Sequence, residues 1–471
     1  MKLFNTLGRE LEEFEPLEAK KARIYTCGPT VYDYQHIGNY SGYIYWDVLV
    51  RLLGSKGYEV KRVMNITDVG HLVSDSDEGE DKLEKGAQRE GKTARQVADF
   101  YTDDFLQSMK LLNLREPDQY ARATDFIPQQ IEIIQKLVEQ GFAYQEEQAI
   151  YFDVAKLGDY GKLTGQDLSD KEVGARSDVV TDSSKRSPQD FALWFFTVGR
   201  FADHEMHWPS PWGDGFPGWH IECSAIIHAI LGDPIDIHTG GVDHIGTHHT
   251  NEIAQTEAAF GHPLAKYWLH NNHMMVDGQK ISKSLGNGYT LADLRKRGFS
   301  PMDFKMLVLQ SHYRSQSNFS WEALEAAKNR LKRIQNIAEL RYQAVSRPDE
   351  AQATPIERSK ADIIDSLEND LNTSEAISAV DSELDNFEHF GLQKESMVNF
   401  VKWLENIDNL LGLEIVDSTP DISEAQKEII SEREEARKKS DWSKSDELRD
   451  KLTEQGIGIN DTPHGQIWYR L

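Results

Sequence analysis

Residues 21–28, KARIYTCG, form a short β-rich run that closes on Gly28. Residues 38–57, GNYSGYIYWDVLVRLLGSKG, then carry a helical pattern between glycines, and residues 58–69, YEVKRVMNITDV, return to a strand pattern. Strand, helix and strand in that order begin a βαβ unit, which predicts a parallel sheet with ligands at the carboxyl ends of its strands. Cys27 sits at such an end. Much further along, residues 234–241, PIDIHTGG, read as another strand ending on glycines.

Between these strands the pattern varies. Residues 74–91, SDSDEGEDKLEKGAQREG, are acidic and glycine-containing and read as an exposed, mobile insertion. Helical patterns run from there through Gln140. Residues 141–154, GFAYQEEQAIYFDV, read as a hairpin, and the polar residues 169–188 as a loop-rich insert. After Ser320 long helices with heptad-like apolar spacing (Leu324, Leu331, Ile334, Ile337) predict a bundle. A proline-containing break at 419–422 precedes a last helix of mixed charge and a short strand-like tail.

The chain has 471 residues, 39% of them apolar, enough for about three domains at roughly 150 residues each. Its 52 Lys and Arg face 78 Asp and Glu, a formal charge of −26 that repels polyanions at long range and argues against non-specific nucleic-acid binding. A nucleic-acid partner would need local basic surface. Arg295, Lys296, Arg297 and Lys305 offer one such place and Lys328, Arg330, Lys332 and Arg333 another, although a solvated helix face explains the second as well. No uncharged apolar stretch of 18 residues occurs, and MKLFNTLGRELEEFEP lacks the apolar run of a signal peptide; a cytoplasmic protein away from membranes is expected. The two cysteines, Cys27 and Cys223, cannot form a disulfide framework, and each alone reads as a small buried hydrophobe.

Three groups of residues carry candidate chemistry. His248 and Glu252 lie four apart, so a helix starting near Thr247 as N-cap would project both from one face, whereas His244, among Gly240, Gly241 and Gly246, falls before that helix. Alone, the segment reads more readily as a polar helix face. Cys223, one helical turn after Trp219, and Cys27 change this, since two thiolates, an imidazole and a carboxylate make a plausible zinc set if they converge. Second, TVYDYQHIGNY places His36 and Asn39 around Gly38 at a helix start after a strand, where backbone N–H groups favour an anion. Third, VDGQKISKSLGN puts Lys280, Ser282, Lys283 and Ser284 on a glycine-flanked loop suited to a triphosphate, or to plain solvent.

In this order, HIGN and KISKS resemble the HIGH and KMSKS signatures of class I aminoacyl-tRNA synthetases. Within that class FNTLGRELEEFEP, YTCGPTVYDYQHIGN, NITDVGH, SPWGDGFPGWHIECSA, HHTNEIAQTEA, KISKSLGN and SHYRSQSNFS are similar to blocks of the cysteinyl-tRNA synthetases, and residues 436–465 are similar to their anticodon-binding tail. The resemblance spans essentially the whole chain. It implies Cys27, Cys223, His248 and Glu252 as ligands of one zinc ion per chain, Thr67 and Trp219 in a cysteine pocket, and Asp243 near the adenosine of ATP. It implies His36, Asn39, Lys280 and Lys283 as catalytic, ATP-binding groups, and L-cysteine, Mg²⁺-bound ATP and tRNA(Cys) as partners of a monomer. Arg437, Trp442, Asp446, Arg449 and Asp461 match positions that read anticodon bases. From 433 to 454 seven basic residues balance seven acidic ones, which a salt-bridged helix explains equally well.

Some positions depart from the family. Asn39 stands where a second histidine is usual, which leaves its share in catalysis open, and Thr250 replaces a glutamate that is not a ligand. NITDVGH is closer to the arginyl branch, and no role follows for His71. The implied fold is α/β: a Rossmann-like catalytic domain in two segments, 1–115 and 205–270, split by an inserted connective domain, 116–204. A KISKS-bearing stem-contact region (271–320), a helical bundle (321–418) and a small mixed α/β anticodon-binding end (419–471) follow. A cysteine-activating ligase acting on a small amine would share the first blocks but has no use for the last.

Overall fold

The computed structural model describes residues 1–69, 72, 81–165, 185–282, 285–343, 356–390, 392, 396–462 and 465–471. The chain divides into two compact units, one of residues 1–297 with 313–318, the other of 298–312 with 319–471.

The first unit opens with an antiparallel pair, β1 (Lys2–Asn5) and β2 (Glu10–Glu13). The predicted βαβ start follows as β3 (Lys21–Thr26), α1 (Ile37–Ser55) and β4 (Glu59–Ile66), with β3 and β4 parallel. Helix α1 is apolar on nearly every face and is buried accordingly. The charges inside it are paired: Asp47 meets Arg51 Nε at 2.6 Å and accepts from the backbone N–H of Arg115 at 2.8 Å. A buried ion pair persists when its remaining hydrogen bonds are filled in this way.

Residues 81–91 are not an exposed insertion. They form α2 (Lys82–Glu90), with Asp81 as N-cap and Leu83 and Ala87 buried, a helix the acidic composition concealed. Residues 74–80 lie outside the described ones. After α3 (Ala94–Leu111) the sequence pattern suggested more helix, but β5 (Gln119–Arg122) intervenes before α4 (Ile127–Glu139). Four residues are too few to show a period of two, and β5 is recognisable only through its pairing with β4.

The hairpin reading of 141–154 holds as β6 (Ala143–Gln145) and β7 (Ala149–Phe152). With β8 (Phe191–Phe196) and β9 (Gly215–Pro217) they make a four-stranded antiparallel sheet. Its core is shared with α4, α5 (Trp219–Ile226) and α6 (His248–Phe260) through Ile134, Phe152, Leu193, Ile221 and Ala254. Much of the predicted loop-rich insert, residues 169–184, lies outside the described residues. β10 (Ile235–Gly241) and β11 (Ala265–Asn271) complete the main sheet, whose order is β11-β10-β3-β4-β5 with every pair parallel. The hairpin β12 (Met274–Val276) and β13 (Gln279–Lys280) and helix α7 (Leu291–Lys296) follow.

The second unit is the predicted helical bundle with a small end. It begins with α8 (Pro301–Leu309); the chain then returns to the first unit, where β14 (Ser317–Phe319) joins the sheet β13-β12-β14, before α9 (Trp321–Ala338) of the second unit, whose Leu324, Leu331, Ile334 and Ile337 are buried. Next come α10 (Ile356–Glu368), α11 (Thr373–Phe390), α12 (Met397–Leu411) and α13 (Ile415–Ser418). The single last helix expected from the sequence is two, α14 (Glu424–Lys438) and α15 (Trp442–Glu454). Ser440, in the left-handed region at φ 59°, breaks them apart, and Asp441 caps α15 by accepting from Lys444 N at 3.1 Å. An antiparallel hairpin, β15 (Ile457–Thr462) and β16 (Gly465–Arg470), packs on them through Leu448, Leu452, Ile457 and Trp468.

Because Leu49 is fully buried on α1, Leu49→Ala should cost the first unit about 2–5 kcal/mol. The check is chemical denaturation: the midpoint of that unit's transition should fall at unchanged slope.

Candidate active site and metal centre

The strand order explains where the site lies. From β3 the chain moves to β4 on one side, while β10, on the other side of β3, leads to β11, so the connections leaving the carboxyl ends of β3 and β10 part and leave a crevice. Cys27 follows β3, and its N–H donates to Thr239 O of β10 at 3.0 Å. Glycine at 240 is required there, because a Cβ would lie 2.6 Å from the ring of His249 and 2.7 Å from that of His244. The crevice opens into a cavity of about 790 Å³ lined by Cys27, His36, Asn39, Trp219, Asp243, His248 and Lys280 among others.

At its base the four proposed ligands converge. One donor atom from each of Cys27, Cys223, His248 and Glu252 lies within 4.8 Å of every other, and all four residues are buried. Cys223 Sγ is 3.5 Å from His248 Nε2, which is 2.9 Å from Glu252 Oε1. Helix α6 does place His248 and Glu252 on one face, as their spacing requires. Thr247 precedes the helix as expected, but its side chain makes no cap hydrogen bond.

The electrostatics suit a cation. Burial pushes the Cys27 thiol up, and the neighbouring Cys223 sulfur adds to it. Burial works against the charged forms of Glu252 and His248, yet each holds the other charged: Glu252 lies below the usual carboxylate range, helped by His238, and His248 lies above the usual imidazole range, helped by Cys223. Glu252 Oε1 accepts no hydrogen bond although it faces His248. Two sulfurs, a carboxylate and an imidazole closed into one buried point form a donor set that a divalent metal satisfies and protons satisfy poorly.

The sequence reading missed the second layer. His238 Nε2 donates to Glu252 Oε2 at 2.7 Å. His220 Nδ1 lies 3.0 Å from His248 Nδ1, and His249 Nε2 lies 3.2 Å from Cys27 Sγ. His249 Nδ1 continues to His270 Nε2 at 2.7 Å, and His270 Nδ1 to Thr6 Oγ1 at 2.7 Å. Burial holds His249 and His270 below the usual imidazole range, so both rings are neutral relays of orientation. Cys27, His238, His249 and Glu252 satisfy the same distance criterion as a second donor set. The first set fits better, because it brings both thiols to one point, whereas in the second the His238 Nε2 already serves Glu252. The hint was in DIHTGG and HHT, histidines on the inward face of a strand and beside a ligand, but a buried histidine gives no sign of its partner.

Trp219 stacks on His248, ring centroids 4.2 Å apart at 22°. Thr67 is buried and is not among the residues that line the cavity; its hydroxyl donates to Glu222 Oε2 at 2.7 Å and accepts from Asn65 Nδ2 at 3.0 Å. Asp243 is exposed on the cavity wall after β10.

At the other end, HIGN and the KISKS loop meet. Ile37 N donates to Tyr289 O at 2.8 Å, and a Cβ on Gly38 would sit 2.8 Å from Ile281 Cδ1, so glycine lets the loop close on the helix start. His36 is the N-cap of α1: Asn39 N donates to His36 Nδ1 at 3.3 Å while Asn39 Oδ1 accepts from His36 N at 3.1 Å. Asn287, which the sequence reading left without a role, shapes the loop, since it accepts from Ser282 N at 2.9 Å and donates to Lys280 O at 3.2 Å. Lys283, Ser284 and His71 lie outside the described residues.

In the second unit the five anticodon candidates cluster on α14, α15 and β15. Arg433 grips Asp461 in a two-point contact of 2.8 and 2.9 Å, and Arg437 joins it at 2.9 Å. Arg437 lies 5.5 Å from the ring of Trp442, which is 57% exposed, and Asp446 pairs with Arg449 at 3.1 Å.

A family model described as "tRNA synthetases class I (C) catalytic domain" matches residues 13–329, and one for the "Cysteinyl-tRNA ligase anticodon binding domain" matches residues 419–468. A cysteine–tRNA ligase of Treponema denticola is 40% identical over the full length of both chains. Cysteine–tRNA ligase 1 of Burkholderia lata is 41% identical over 98% of this chain and 96% of its own. The chain belongs to the cysteine–tRNA ligase family. Solved structures with the same fold include a methionyl-tRNA synthetase of Mycobacterium tuberculosis in complex with methionyl-adenylate, TM-score 0.61 at 14% identity, covering 84% of this chain and 92% of that one. A leucyl synthetase from the ternary complex of Agrobacterium radiobacter gives 0.62 at 12% identity, over 87% and 86%. No described helix is long and apolar enough to cross a membrane.

The geometry of Asn39, expected as a departure from the HIGH signature, says what this residue offers. Its Oδ1 closes the helix cap, and its amide NH₂ remains as a neutral donor.

His238→Ala should weaken metal binding by about tenfold to a hundredfold, because Glu252 loses the group that orients it. Chelator competition measures this; complete loss of metal would instead make His238 a ligand and favour the second donor set.

Proposed function

We propose that this ligase activates L-cysteine with ATP and transfers it to the 3′-terminal adenosine of tRNA(Cys), acting as a cytoplasmic monomer with one zinc ion per chain. The observation that carries this reading is the two-thiol donor set buried at the base of the same cavity whose rim holds HIGN and the KISKS loop. Cys27, Cys223, His248 and Glu252 would hold the zinc; when bound, it would offer the substrate thiolate a soft ligand position that serine and alanine cannot fill, as a fifth donor. Discrimination at that point needs no editing site.

The chain's own residues do the rest. Trp219, packed flat on His248, shapes the cysteine pocket, and Thr67 supports it from behind through Glu222, the neighbour of Cys223. The substrate carboxylate attacks the α-phosphorus of Mg²⁺-bound ATP, releasing pyrophosphate. His36 and Asn39 at the N-terminus of α1, with Lys280 and Lys283 of the loop, stabilise the charge that develops on the phosphates, and Asp243 holds the adenosine. A ribose hydroxyl of the tRNA then attacks the adenylate carbonyl, and AMP leaves. Arg437, Trp442, Asp446, Arg449 and Asp461 read the anticodon, with the exposed Trp442 ring offered to an unpaired base. Residues 419–468 have no purpose in a ligase acting on small amines, so that alternative is not favoured.

ATP–pyrophosphate exchange tested with each of the twenty amino acids should respond to cysteine alone, and exchange driven equally by serine would remove the selective role given to the sulfur-binding centre. Trp442→Ala should lower charging of a tRNA(Cys) transcript about tenfold to a hundredfold at fixed salt, while cysteine-dependent exchange persists. Equal charging of an anticodon-swapped transcript by the unaltered chain would contradict the anticodon assignment.

A further inference from the structure

The end that carries the anticodon candidates has an apolar cluster of its own, Ile422, Ile429, Leu448, Leu452, Ile457 and Trp468. Among the described residues, its attachment to the bundle is largely polar and falls on the turn Glu339–Tyr342 and Gln343, directly after α9. Glu339 is buried and accepts from the backbone N–H of Arg470 at 3.1 Å as well as from the Arg470 guanidinium. Gln343 spends both ends of its amide on one residue of β16: Nε2 donates to Trp468 O at 2.7 Å, and Oε1 accepts from Trp468 N at 2.8 Å. The ring of Tyr342 lies within 14° of parallel to that of Trp468, with centroids 6.4 Å apart.

The same turn grips the segment that enters this end. Arg341 donates to Val416 O and to Thr419 Oγ1, each at 2.9 Å, and to Thr419 O at 2.6 Å. The Arg470 guanidinium also donates to Pro420 O, so the incoming linker and the last strand are tied to each other where both meet the turn. The stretch 339–343 thus holds the segment 419–471 at its start and at its finish. Apolar contact is non-directional and lets two bodies slide, whereas hydrogen bonds weaken steeply away from their preferred distance and angle and so fix an orientation. A reader of unpaired bases gains from that, because a swivelling end would have to be ordered at each encounter and the entropy lost would be subtracted from its contacts.

We infer that residues 339–343 form a clasp that presets the anticodon-reading face against the bundle, with Arg341 and Gln343 as its positioning residues; this rests on the anticodon reading above. The clasp acts through Trp442 and its neighbours, and adenylate formation does not need it.

The test uses the full chain, with charging of a tRNA(Cys) transcript followed at fixed salt beside cysteine-dependent pyrophosphate exchange. Gln343→Ala should raise KM for the tRNA about threefold to tenfold at nearly unchanged kcat, because it removes two neutral hydrogen bonds that order the end before binding. Exchange should change less than about twofold. Gln343→Met, which keeps the length of the side chain and neither bond, should match the alanine variant, and Arg341→Lys should raise KM likewise, because one ammonium cannot reproduce the guanidinium fork. On an anticodon-swapped transcript, where the reading contacts are not made, Gln343→Ala should cost less than about twofold, whereas a merely structural loss would appear on both transcripts. An unaltered tRNA KM in Gln343→Ala, or an equal rise on both transcripts, overturns the clasp alone. Equal charging of both transcripts by the unaltered chain overturns the anticodon reading and the clasp with it.

Discussion

The site depends on the parting of the connections that leave β3 and β10. These neighbours run parallel, and their next strands lie on opposite sides, so the loops after them separate and cannot cover the carboxyl end. Cys27 and Gly240 stand at that opening. The hydrogen bond from Cys27 N to Thr239 O fixes one thiol against the other strand, and Asn65 of β4 accepts from Gly28 N at 2.7 Å, holding the turn from the other side. Helices α5 and α6, packed beneath, supply the other three donors. The candidate donor set and the cavity above it thus come from one topological fact.

A second constraint is the burial of charge at the base. Removing Glu252 and His248 from water is costly, and their contact recovers part of that cost only if each remaining atom has a partner. His238 supplies one to Glu252, His220 one to His248 and His249 one to Cys27. The histidine layer lets a reactive donor set sit in an apolar core, with Tyr25, Ile226, Ile253 and Trp268 around it. Trp268 stacks on His238 at 4.5 Å, so the hydrophobic core also sets the angle at which Glu252 is held.

How much of this was legible in the sequence follows from the range of each signal. The i, i+4 spacing of His248 and Glu252 is local, and the helix it predicts is present. The first βαβ unit and the 141–154 hairpin are also local patterns, and both are there. That two cysteines 196 positions apart by number would meet at that helix is not local, and it came from resemblance instead. Strand β5 failed because four residues carry no period, and α2 because its acidic composition masked a short amphipathic helix. The break between α14 and α15 was readable in the SD of KKSDW, a left-handed residue followed by a cap. The positions of the second-layer histidines were hinted at in DIHTGG and HHT but their role was not, since nothing in a sequence distinguishes an imidazole that orients a ligand from one that fills a core.

The acidic balance of the chain now has a place in the same logic. A charge of −26 opposes every anionic partner this family handles, so attraction has to be local and its positions become informative. Several exposed carboxylates are met by arginine: Asp33 by Arg89, Asp461 by Arg433 and Arg437, Asp446 by Arg449. Pairing removes the repulsion without adding much net positive charge, which leaves affinity to rings and hydrogen bonds. Association built this way depends less on bulk salt than association built on free cations, because fewer counterions are displaced from the nucleic acid. The ring of Trp442, exposed beside the paired Arg437, is one such group on this acidic chain.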